Sequence, residues 1–328
     1  MKIVMNEQTS LAFNLAAEEY MIRNFKDEIF MLWRAGPSVL LGKNQNAYSE
    51  MNMDYVREKN IQVVRRMSGG GAVYNDLGNT NFCFIMNDNT KVLTDFTRFT
   101  TPIIQVLKNL GVDAAFTGRN DMTIQGKKFS GNAQYRIKKR ILHHGTLLFS
   151  SDIFDLSQSL NPSPTKFSDK AVKSVKSRVT NIKDHLKDPA MDIHTFREII
   201  NRHIMTLYPD ATYYTFTDQD IEAIETLMQE KYLSWEWNFG TSPSFNLMKQ
   251  QKFPGGVVEV YADIKDARIA NIQFHGDFFG HLEVTDLEKL LIGKPYDKNT
   301  LELILRDLDV DAYFKNISAD EILKVIFE

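Results

Sequence analysis

The chain has a single cysteine, Cys83, in 328 residues, so it can form neither an internal disulfide nor a cysteine metal cluster. No run approaches the roughly 20 consecutive apolar residues that a membrane-spanning helix needs. The first 24 residues contain Glu7, Glu18 and Glu19 and lack the apolar core of a secretory signal peptide. The sequence therefore predicts a cytoplasmic protein without a membrane segment.

Neither sign of charge dominates the chain. Its 39 lysines and arginines stand against 42 aspartates and glutamates, which gives a formal net charge of −3. This balance excludes a generally basic nucleic-acid-binding surface, and a local cluster such as 138–140 is typical of a solvated face. The length of 328 residues allows one large domain and one small one, and 43% hydrophobic residues are enough for the buried core of a globular protein. A monomer is the default expectation.

Hydrophobic periodicity predicts a mixture of helices and strands along the chain. Short polar turns join the strands after residue 120, which favours an antiparallel or mixed sheet with helices packed on it. The predicted helices span residues 14–25, 99–110, 194–208 and 218–232. The predicted strands span residues 30–41 with a turn at Gly36 and Pro37, 61–64, 121–124, 128–135 and 141–149.

The periodic pattern breaks over residues 235–243, and this break predicts a domain boundary. We expect a large domain over 1–245 and a small α+β domain over 246–328. The segment 157–177 is rich in serine, proline and lysine and is predicted to be a long, mobile loop. Loops of that length inside a compact domain are often functional.

The small domain shows its own strand and helix signals. Alternating apolar residues over 258–272 predict a β-hairpin with its turn near residue 266. Thr285 with Glu288, and Ser318 with Glu321, have capping-box spacing ahead of apolar runs. Each pair therefore predicts the start of a helix.

Three consecutive glycines, 69–71, lie between two β-rich runs and form the most informative stretch of the sequence. Glycine can adopt positive φ and lets a backbone approach a ligand without a Cβ in the way. Arg65 and Arg66 on one side, and Asn75, Asp76 and Asn79 on the other, add the charged and polar groups that a carboxylate or phosphate site needs. An ordinary glycine-rich hairpin is the alternative interpretation.

A second informative stretch surrounds two adjacent lysines. If residues 128–132 are extended, Lys128, Ser130 and Asn132 share one face of the strand. This parity favours Lys128 over Lys127 as the lysine that points into a polar site, unless a β-bulge at a neighbouring glycine reverses it. Two surface lysines after a tight turn are the alternative. The glycine spacing fits neither a Walker loop nor a dinucleotide fingerprint.

Two adjacent histidines, His143 and His144, lie on a predicted strand, where neighbouring side chains face opposite ways. They therefore make a poor metal pair, and a buried structural role is expected. Cys83 lies in the apolar run 82–86, which predicts a buried strand rather than a reactive thiol.

Taken together and in this order, the motifs resemble those of the lipoate-protein ligase A family, within the biotin and lipoate ligase superfamily. The similarity covers most of the chain, including a small C-terminal domain, although Asn75 stands where many members have histidine. The matching motifs are Asn14-Leu15-Ala16 with Glu18-Glu19, Arg65 to Asn79, Gly118-Arg119-Asn120-Asp121, Lys128-Phe129-Ser130-Gly131-Asn132-Ala133, His144-Gly145-Thr146 and Lys173 to Asn181.

The resemblance implies an α+β fold, with a large catalytic domain whose mixed or antiparallel sheet is flanked by helices and a small C-terminal α+β domain. It also implies an enzyme that uses ATP and Mg²⁺ to convert lipoate into lipoyl-AMP and pyrophosphate. The lipoyl group then passes to a lysine of a lipoyl domain in a 2-oxoacid dehydrogenase acyltransferase subunit, or of the glycine cleavage H protein. The preferred acceptor, and lipoate against octanoate, stay open.

The resemblance also assigns roles to particular residues. Lys128 is the expected catalytic residue, Asp121 is the expected magnesium ligand, and the lysine-rich stretch 166–178 is the expected closing loop. The residues expected to bind the substrate or adenylate are Arg66, Ser68, Gly69, Gly70, Gly71, Ala72, Val73, Tyr74, Asn79, Asn120, Asp121, Ser130, Gly131, Ala133, His144, Gly145, Thr146, Lys170 and Ser174.

Two other functions compete with a ligase. An acyltransferase of the same superfamily uses a cysteine thioester and no ATP, and here the single thiol lies in an apolar strand. A catalytically silent protein that binds lipoate or an adenylate is the other alternative. The presence of Lys128, Asp121 and the whole glycine-rich loop favours the ligase.

Overall fold

The computed structural model describes residues 1–88, 95–160, 178–239 and 247–327. The predicted boundary after residue 245 therefore lies outside the described residues. The chain divides into two compact units, each made of three separate segments. The first unit comprises Met1–Leu40, Glu50–Arg65 and Val73–Asn238, and the second comprises Leu41–Ser49, Arg66–Ala72 and Phe239–Glu328. In the described part of the chain, no helix has the length and apolar character needed to cross a membrane.

The first unit contains a large sheet and a small one. Its strands are β1 (Lys2–Met5), β2 (Ile29–Trp33), β3 (Ser38–Leu41, whose last residue falls in the second unit), β4 (Gln62–Arg65), β5 (Val73–Asn75), β6 (Asn79–Asn87), β7 (Ala114–Thr117), β8 (Asp121–Ile124), β9 (Lys127–Ile137), β10 (Arg140–Leu148) and β11 (Thr212–Thr215).

The described helices up to residue 239 are α1 (Leu11–Asn24), α2 (Ala47–Glu50, which falls mostly in the second unit), α3 (Met53–Glu58), α4 (Thr97–Asn109), α5 (Ile153–Ser159), α6 (Ile193–Leu207), α7 (Asp218–Leu227) and α8 (Trp235–Asn238). The four predicted helices in this part of the chain correspond to α1, α4, α6 and α7, and the other helices were not predicted. A 3₁₀ turn covers Ile182–His185, and a π-helical turn, Met228–Tyr232, continues α7.

Eight strands form one mixed sheet in the order β11-β1-β2-β6-β10-β9-β8-β7. Strand β1 runs parallel to both β11 and β2. Every other pair of neighbouring strands in this order, from β2 with β6 to β8 with β7, is antiparallel. A second, smaller sheet has the strand order β4-β3-β5. The prediction of a mixed sheet flanked by helices is confirmed.

One face of the large sheet carries the main apolar core. Phe82 and Phe84 of β6 pack there with Phe99 and Ile103 of α4 and with Ile200 of α6, all at most 3% exposed. Helix α4 is amphipathic, with apolar residues recurring at the three- and four-residue spacing of one helix face. The core therefore forms on the face that α4 and α6 cover.

Helix α1 is buried along almost its whole length, because both of its carboxylates are satisfied inside the protein. It begins after Ser10, whose Oγ accepts a hydrogen bond from the backbone N–H of Phe13. Glu19 accepts hydrogen bonds from Arg23, from Lys231 and from the Tyr232 hydroxyl. Burial alone would raise the pKa of Glu19, but these partners, Lys231 above all, lower it.

The second unit has its own sheet and helices. Its described elements after residue 246 are β12 (Leu247–Phe253), β13 (Gly256–Lys265), β14 (Arg268–Gly276), α9 (Val284–Leu291), α10 (Lys298–Arg306), α11 (Val310–Tyr313) and α12 (Ala319–Phe327). The three strands are antiparallel in the order β12-β13-β14, which confirms the predicted hairpin. Their inner face packs on α9, α10 and α12.

The two capping predictions have different outcomes. Ser318 and Glu321 exchange hydrogen bonds, since each backbone N–H bonds the other side chain, and α12 begins there as predicted. A helix also begins at the Thr285–Glu288 pair as predicted, since α9 starts at Val284, but the pair does not form a capping box. Glu288 instead accepts a hydrogen bond from the Phe274 backbone at 2.8 Å, and burial raises its pKa to about 7.

The predicted loop over 157–177 is wrong at its start, where Ser157 to Ser159 form the end of α5. Residues 161–177 lie outside the described residues. The chain on either side is fixed by backbone pairing, with Leu160 bridged to Met51 and Val179 bridged to Lys128.

Gly145 is a residue on which the core depends, and its replacement gives a test of the fold. A Cβ on Gly145 would lie 2.3 Å from Oδ1 of Asn132 and 2.6 Å from the Phe82 ring. We expect Gly145→Ala to lower the free energy of unfolding by about 1–3 kcal/mol through overpacking. Gly36→Ala is the matched control, because a Cβ there meets no described atom within 4 Å. Equal melting temperatures for the two variants would contradict the packing.

Candidate active site

The side chains of β6, β9 and β10 separate into two sets on opposite faces of the large sheet. Residues paired across antiparallel strands share a face, and neighbours along a strand do not. His144 is paired with Cys83 and Ala133, whereas His143 is paired with Phe84 and Gln134. Phe84 belongs to the apolar core, so His143 lies on the core face. We call the opposite face the α1 face and define it by Asn79, Asn81, Cys83, Gly131, Ala133, His144 and Thr146.

Lys128 also lies on the α1 face because the register shifts by one residue beside it. Asp121 is paired with Gly131 and Met122 with Ser130, but Thr123 is paired with Lys128, so Phe129 has no opposite residue. The prediction that Lys128, Ser130 and Asn132 share a face is therefore wrong. The β-bulge places Lys128 on the face of Asp121 and leaves Ser130 on the core face.

Lys128 and Asp121 form an ion pair on the α1 face. The Lys128 Nζ is 2.8 Å from Oδ1 of Asp121, and the two side chains are 42% and 37% exposed. Gly131 makes room for the lysine, since a Cβ there would lie 3.1 Å from Nζ. The Lys128 carbonyl accepts a hydrogen bond from the Thr180 backbone at 2.9 Å. The neighbouring strands β8 and β9 thus hold a carboxylate and a cation side by side, each partly exposed.

Asn120 and Ser130 serve the sheet rather than the α1 face. The Asn120 side chain donates to the backbone oxygen of Asn132 at 2.8 Å, and the Asn132 side chain donates back to the Asn120 oxygen at 3.1 Å. The Asn132 amide also donates to the Ser130 hydroxyl at 3.2 Å. These bonds hold the loop before Asp121 against β9 and so fix the position of the carboxylate.

The buried carboxylate of Glu18, on α1, contacts His144 on the α1 face. Oε2 of Glu18 lies 2.7 Å from Nδ1 of His144, and Oε1 accepts a 2.9 Å hydrogen bond from the Trp33 indole. Glu18 and Trp33 are at most 2% exposed, and His144 is 7% exposed. The sequence did not predict this cluster, because the residues are far apart in the chain and each alone is unremarkable.

The remaining predictions for histidine and cysteine are confirmed. His143 stacks on Phe99 with ring centroids 4.6 Å apart, and complete burial holds its pKa well below the ordinary value. It is therefore a neutral core residue on the opposite face of the sheet from His144. Burial, together with Glu18, raises the pKa of the Cys83 thiol well above its usual range. Such a thiol is a poor nucleophile.

Three asparagine amides converge beside β6. Oδ1 of Asn75 accepts hydrogen bonds from Asn79 at 2.7 Å and from Asn81 at 3.0 Å. All three residues are at most 2% exposed. Nδ2 of Asn75 and Oδ1 of Asn79 have no hydrogen-bond partner within the part of the chain that the structure describes. Asn75 therefore orients Asn79 through its side-chain oxygen, a role that an amide performs at any pH.

The glycine-rich loop, Arg66–Ala72, belongs to the second unit. The Arg66 guanidinium is 4% exposed and braces the loop from within. It donates to the Ser68 hydroxyl and to the backbone oxygens of Gly69 and Gly71, at 2.8 to 3.0 Å. Ala72 and Val73 are half-buried, and Tyr74 pairs with Val39 in the small sheet.

The three glycines of this loop have different surroundings. A Cβ on Gly69 would lie 2.5 Å from the Phe278 carbonyl oxygen, and Gly70 has a φ of +93°. Near Gly71, a Cβ would meet no described atom within 4 Å. Gly69 and Gly70 are thus needed for packing and backbone conformation, and Gly71 is the glycine with open space before it.

Arg65 and Arg66 are neighbours in sequence, but their side chains bind different partners. Its backbone N–H donates to Oδ1 of Asn238 at 2.8 Å, and its guanidinium donates to the backbone oxygens of Trp237 and Asn238. The Trp237 indole donates back to the Arg65 oxygen at 2.7 Å. Arg65 therefore fixes the end of β4, and burial lowers its pKa to about 10.

The outcome for the predicted site residues is mixed. The α1 face brings together Lys128, Asp121, Gly131, Ala133, His144, Thr146 and Asn79, and the Thr146 hydroxyl accepts a hydrogen bond from the Gly131 backbone at 3.1 Å. Ser130 faces the core, and the loop residues 66–72 lie in the other unit. Lys170, Ser174 and most of the predicted closing loop, 166–177, lie outside the described residues.

Two family models match the chain in order. The model described as the lipoyl protein ligase A/B catalytic domain matches residues 10–205. The model described as the bacterial lipoate protein ligase C-terminus matches residues 242–326. The two matches together cover most of both compact units.

Curated proteins of the same kind align over nearly their full lengths. Lipoate–protein ligase 1 of Staphylococcus aureus is 41% identical over 329 residues, covering 99% of this chain and 100% of that protein. Lipoate-protein ligase LplJ of Bacillus subtilis is also 41% identical, covering 96% of each.

Solved structures agree in fold. The lipoate complex of LipL1 from P. falciparum superposes with a TM-score of 0.82 over 98% of each chain, at 24% identity. A lipoate-protein ligase A bound with ATP has a TM-score of 0.62 at 27% identity, covering 73% of this chain and 98% of the other. The LipL1 likeness shows that the fold extends over both units. With both family models matched and near-complete relatives at 41% identity, the chain belongs to the lipoate-protein ligase family.

Proposed function

We propose that this protein uses ATP to activate lipoate as lipoyl-AMP and then transfers the lipoyl group to a lysine of an acceptor protein. The observation that carries the proposal is the Lys128–Asp121 pair, 2.8 Å apart and half-exposed on the α1 face. Relatives named lipoate-protein ligase at 41% identity support the reaction, and related structures contain lipoate or ATP.

In the first step, a carboxylate oxygen of lipoate attacks the α-phosphorus of ATP, and the bond to pyrophosphate breaks. Two anionic groups must come together, so a fixed cation lowers the barrier. Lys128 is the candidate for this role, because its strand is held by backbone hydrogen bonds while its side chain is 42% exposed. Its pairing with Asp121 fixes the position of the ammonium until substrate anions arrive.

In the second step, the acceptor lysine attacks the carbonyl carbon of lipoyl-AMP and loses a proton. The bond between that carbon and the phosphate oxygen breaks, and AMP leaves. The Lys128 ammonium can stabilise the negative charge that develops on the carbonyl oxygen during this attack. One lysine would thus serve both half-reactions.

Asp121 is the candidate ligand for Mg²⁺. Mg²⁺ in nucleotide sites is usually held by one or two carboxylates together with phosphate oxygens and water. Asp121 fits this pattern as a partly exposed carboxylate, since its side chain is 37% exposed. The metal would neutralise phosphate charge when bound. The Asn120–Asn132 hydrogen bonds would keep the carboxylate in place.

The glycine-rich loop is our candidate for binding the carboxyl end of lipoate and the nucleotide. Gly71 has open space before it, and the Arg66 guanidinium holds the flanking carbonyl oxygens in place. Glu18, His144 and Asn79 are proposed to shape the substrate site on the α1 face. Val73 and Tyr74 continue the loop into β5.

The proposed acceptors are lipoyl domains of 2-oxoacid dehydrogenase acyltransferase subunits and the glycine cleavage H protein, and the proposed location is the cytoplasm. One related archaeal structure is described as a bi-partite lipoate protein ligase with its E2 lipoyl domain. We propose that the enzyme acts as a monomer.

The central test is the substitution of each adjacent lysine. We expect Lys128→Ala to lower the rate of lipoyl transfer roughly 10²–10³-fold, because the fixed cation is lost. Lys127→Ala is the matched control and keeps its activity, since Lys127 is exposed on the other face. The assay is mass spectrometry of an apo lipoyl domain mixed with lipoate and Mg²⁺-ATP, with ATP omitted in parallel. Equal loss in both variants would contradict the assignment, and transfer without ATP would indicate a transferase.

A thioester route is tested by Cys83→Ser. Because burial suppresses the thiolate, we expect the variant to keep transfer activity within about twofold of wild type. The assay uses the same acceptor and measures the rate per folded protein, with folding checked by thermal unfolding. A variant that folds normally and loses transfer would favour the cysteine mechanism.

Gly71→Ala tests whether ligand approaches the open side of the loop. A methyl group there contacts no described atom, so the melting temperature should not change. We expect the KM for lipoate or ATP to rise about tenfold, the effect of losing about 1.4 kcal/mol of binding. The measurement is pyrophosphate release during adenylation. An unchanged KM for both substrates would show that neither lies against Gly71.

A further inference from the structure

The glycine-rich loop lies directly on two phenylalanines of its own unit, Phe278 and Phe279. A Cβ on Gly69 would lie 2.5 Å from the Phe278 carbonyl oxygen and 3.2 Å from the Phe279 ring. A Cβ on Gly70 would lie 3.2 Å from two further ring atoms of Phe279. The absence of side chains at these two glycines therefore permits close contact with the phenylalanine pair.

These two phenylalanines occupy a rigid turn. The Phe279 carbonyl accepts a hydrogen bond from the Lys315 backbone at 2.7 Å, and Asp277 accepts one from the Val257 backbone at 2.6 Å. Gly280 packs so closely that a Cβ would lie 2.1 Å from the Tyr313 oxygen. Phe278 is fully buried and Phe279 is 9% exposed. The turn is thus a fixed support for whatever packs on it.

The loop also has a second neighbour on the side of residues 41–45. The Lys43 backbone donates to the Ser68 oxygen at 2.9 Å, and the Arg66 backbone donates to the Leu41 oxygen at 2.9 Å. A Cβ on Gly42 would lie 1.8 Å from the Gly70 oxygen. Three consecutive glycines have large conformational freedom, so contacts like these are what select one conformation.

We propose that Phe279 is a positioning residue for the ligase reaction. Its ring holds Gly69 and Gly70 so that Arg66 keeps its bonds to the loop and Gly71 keeps its open side. Phe279 touches no reactant and acts through the loop. The inference rests on the proposed function of the loop. It assigns a role in the reaction to a residue in the C-terminal part of the chain.

The first experiment separates positioning from general stability. Phe279→Ala removes the ring, and Phe253→Ala, in the core of the same unit and 8% exposed, is the matched control. We expect Phe279→Ala to raise the KM for lipoate or ATP and lower kcat, together about 10²-fold in kcat/KM. Phe279→Leu should recover part of this loss. The control should keep the wild-type KM at a temperature where all variants are folded.

The second experiment needs no substrate and decides the inference even if the wild-type protein fails to transfer lipoate. Hydrogen exchange is measured on the full chain for residues 68–73. Exchange in this segment should accelerate about tenfold in Phe279→Ala and stay at the wild-type rate in Phe253→Ala. Unchanged exchange in Phe279→Ala, or equal acceleration in both variants, would overturn the positioning role. If Phe279→Ala does not fold, the same comparison is made with Phe279→Leu.

Discussion

A one-residue shift in the pairing of β8 with β9 determines which side chains meet on the α1 face. Phe129 has no partner on β8 and is fully buried in the apolar core. Without that extra residue, Lys128 would lie on the same face as Ser130. With it, a lysine beside a buried phenylalanine joins Asp121 on the α1 face. The burial of Phe129 in the core therefore determines which face of the sheet carries Lys128, the proposed catalytic cation.

The regular elements were largely predictable because their signals are local. The apolar spacing of α1, α4 and α6, and the turn between β8 and β9 at Gln125 and Gly126, both with positive φ, all appear within short windows. The failed capping box shows the limit of such signals. Glu288 has the correct spacing to Thr285, but the backbone N–H of Phe274 on β14 offers it a partner that no local pattern contains.

The site was predictable in composition more than in arrangement. Lys128, Asp121 and the glycine-rich loop are visible in sequence, and family resemblance assigned their roles. The Glu18 contact with His144 depends on the crossing of α1 over β10, which is a matter of tertiary packing. The division of labour between Arg65 and Arg66 is equally nonlocal, since residues near 238 bind the first and the loop itself binds the second.

The support of Gly69 by Phe278 has a consequence for how the chain matures during synthesis. The loop leaves the ribosome about 200 residues before the phenylalanines that hold it. At roughly 5–20 residues per second, that interval is about 10–40 s. During this time β6, β9 and β10 can already pair. The phenylalanines that contact the glycine triplet have not yet been made. The conformation of the loop described here is therefore expected to form only when the C-terminal segment has been made and has folded.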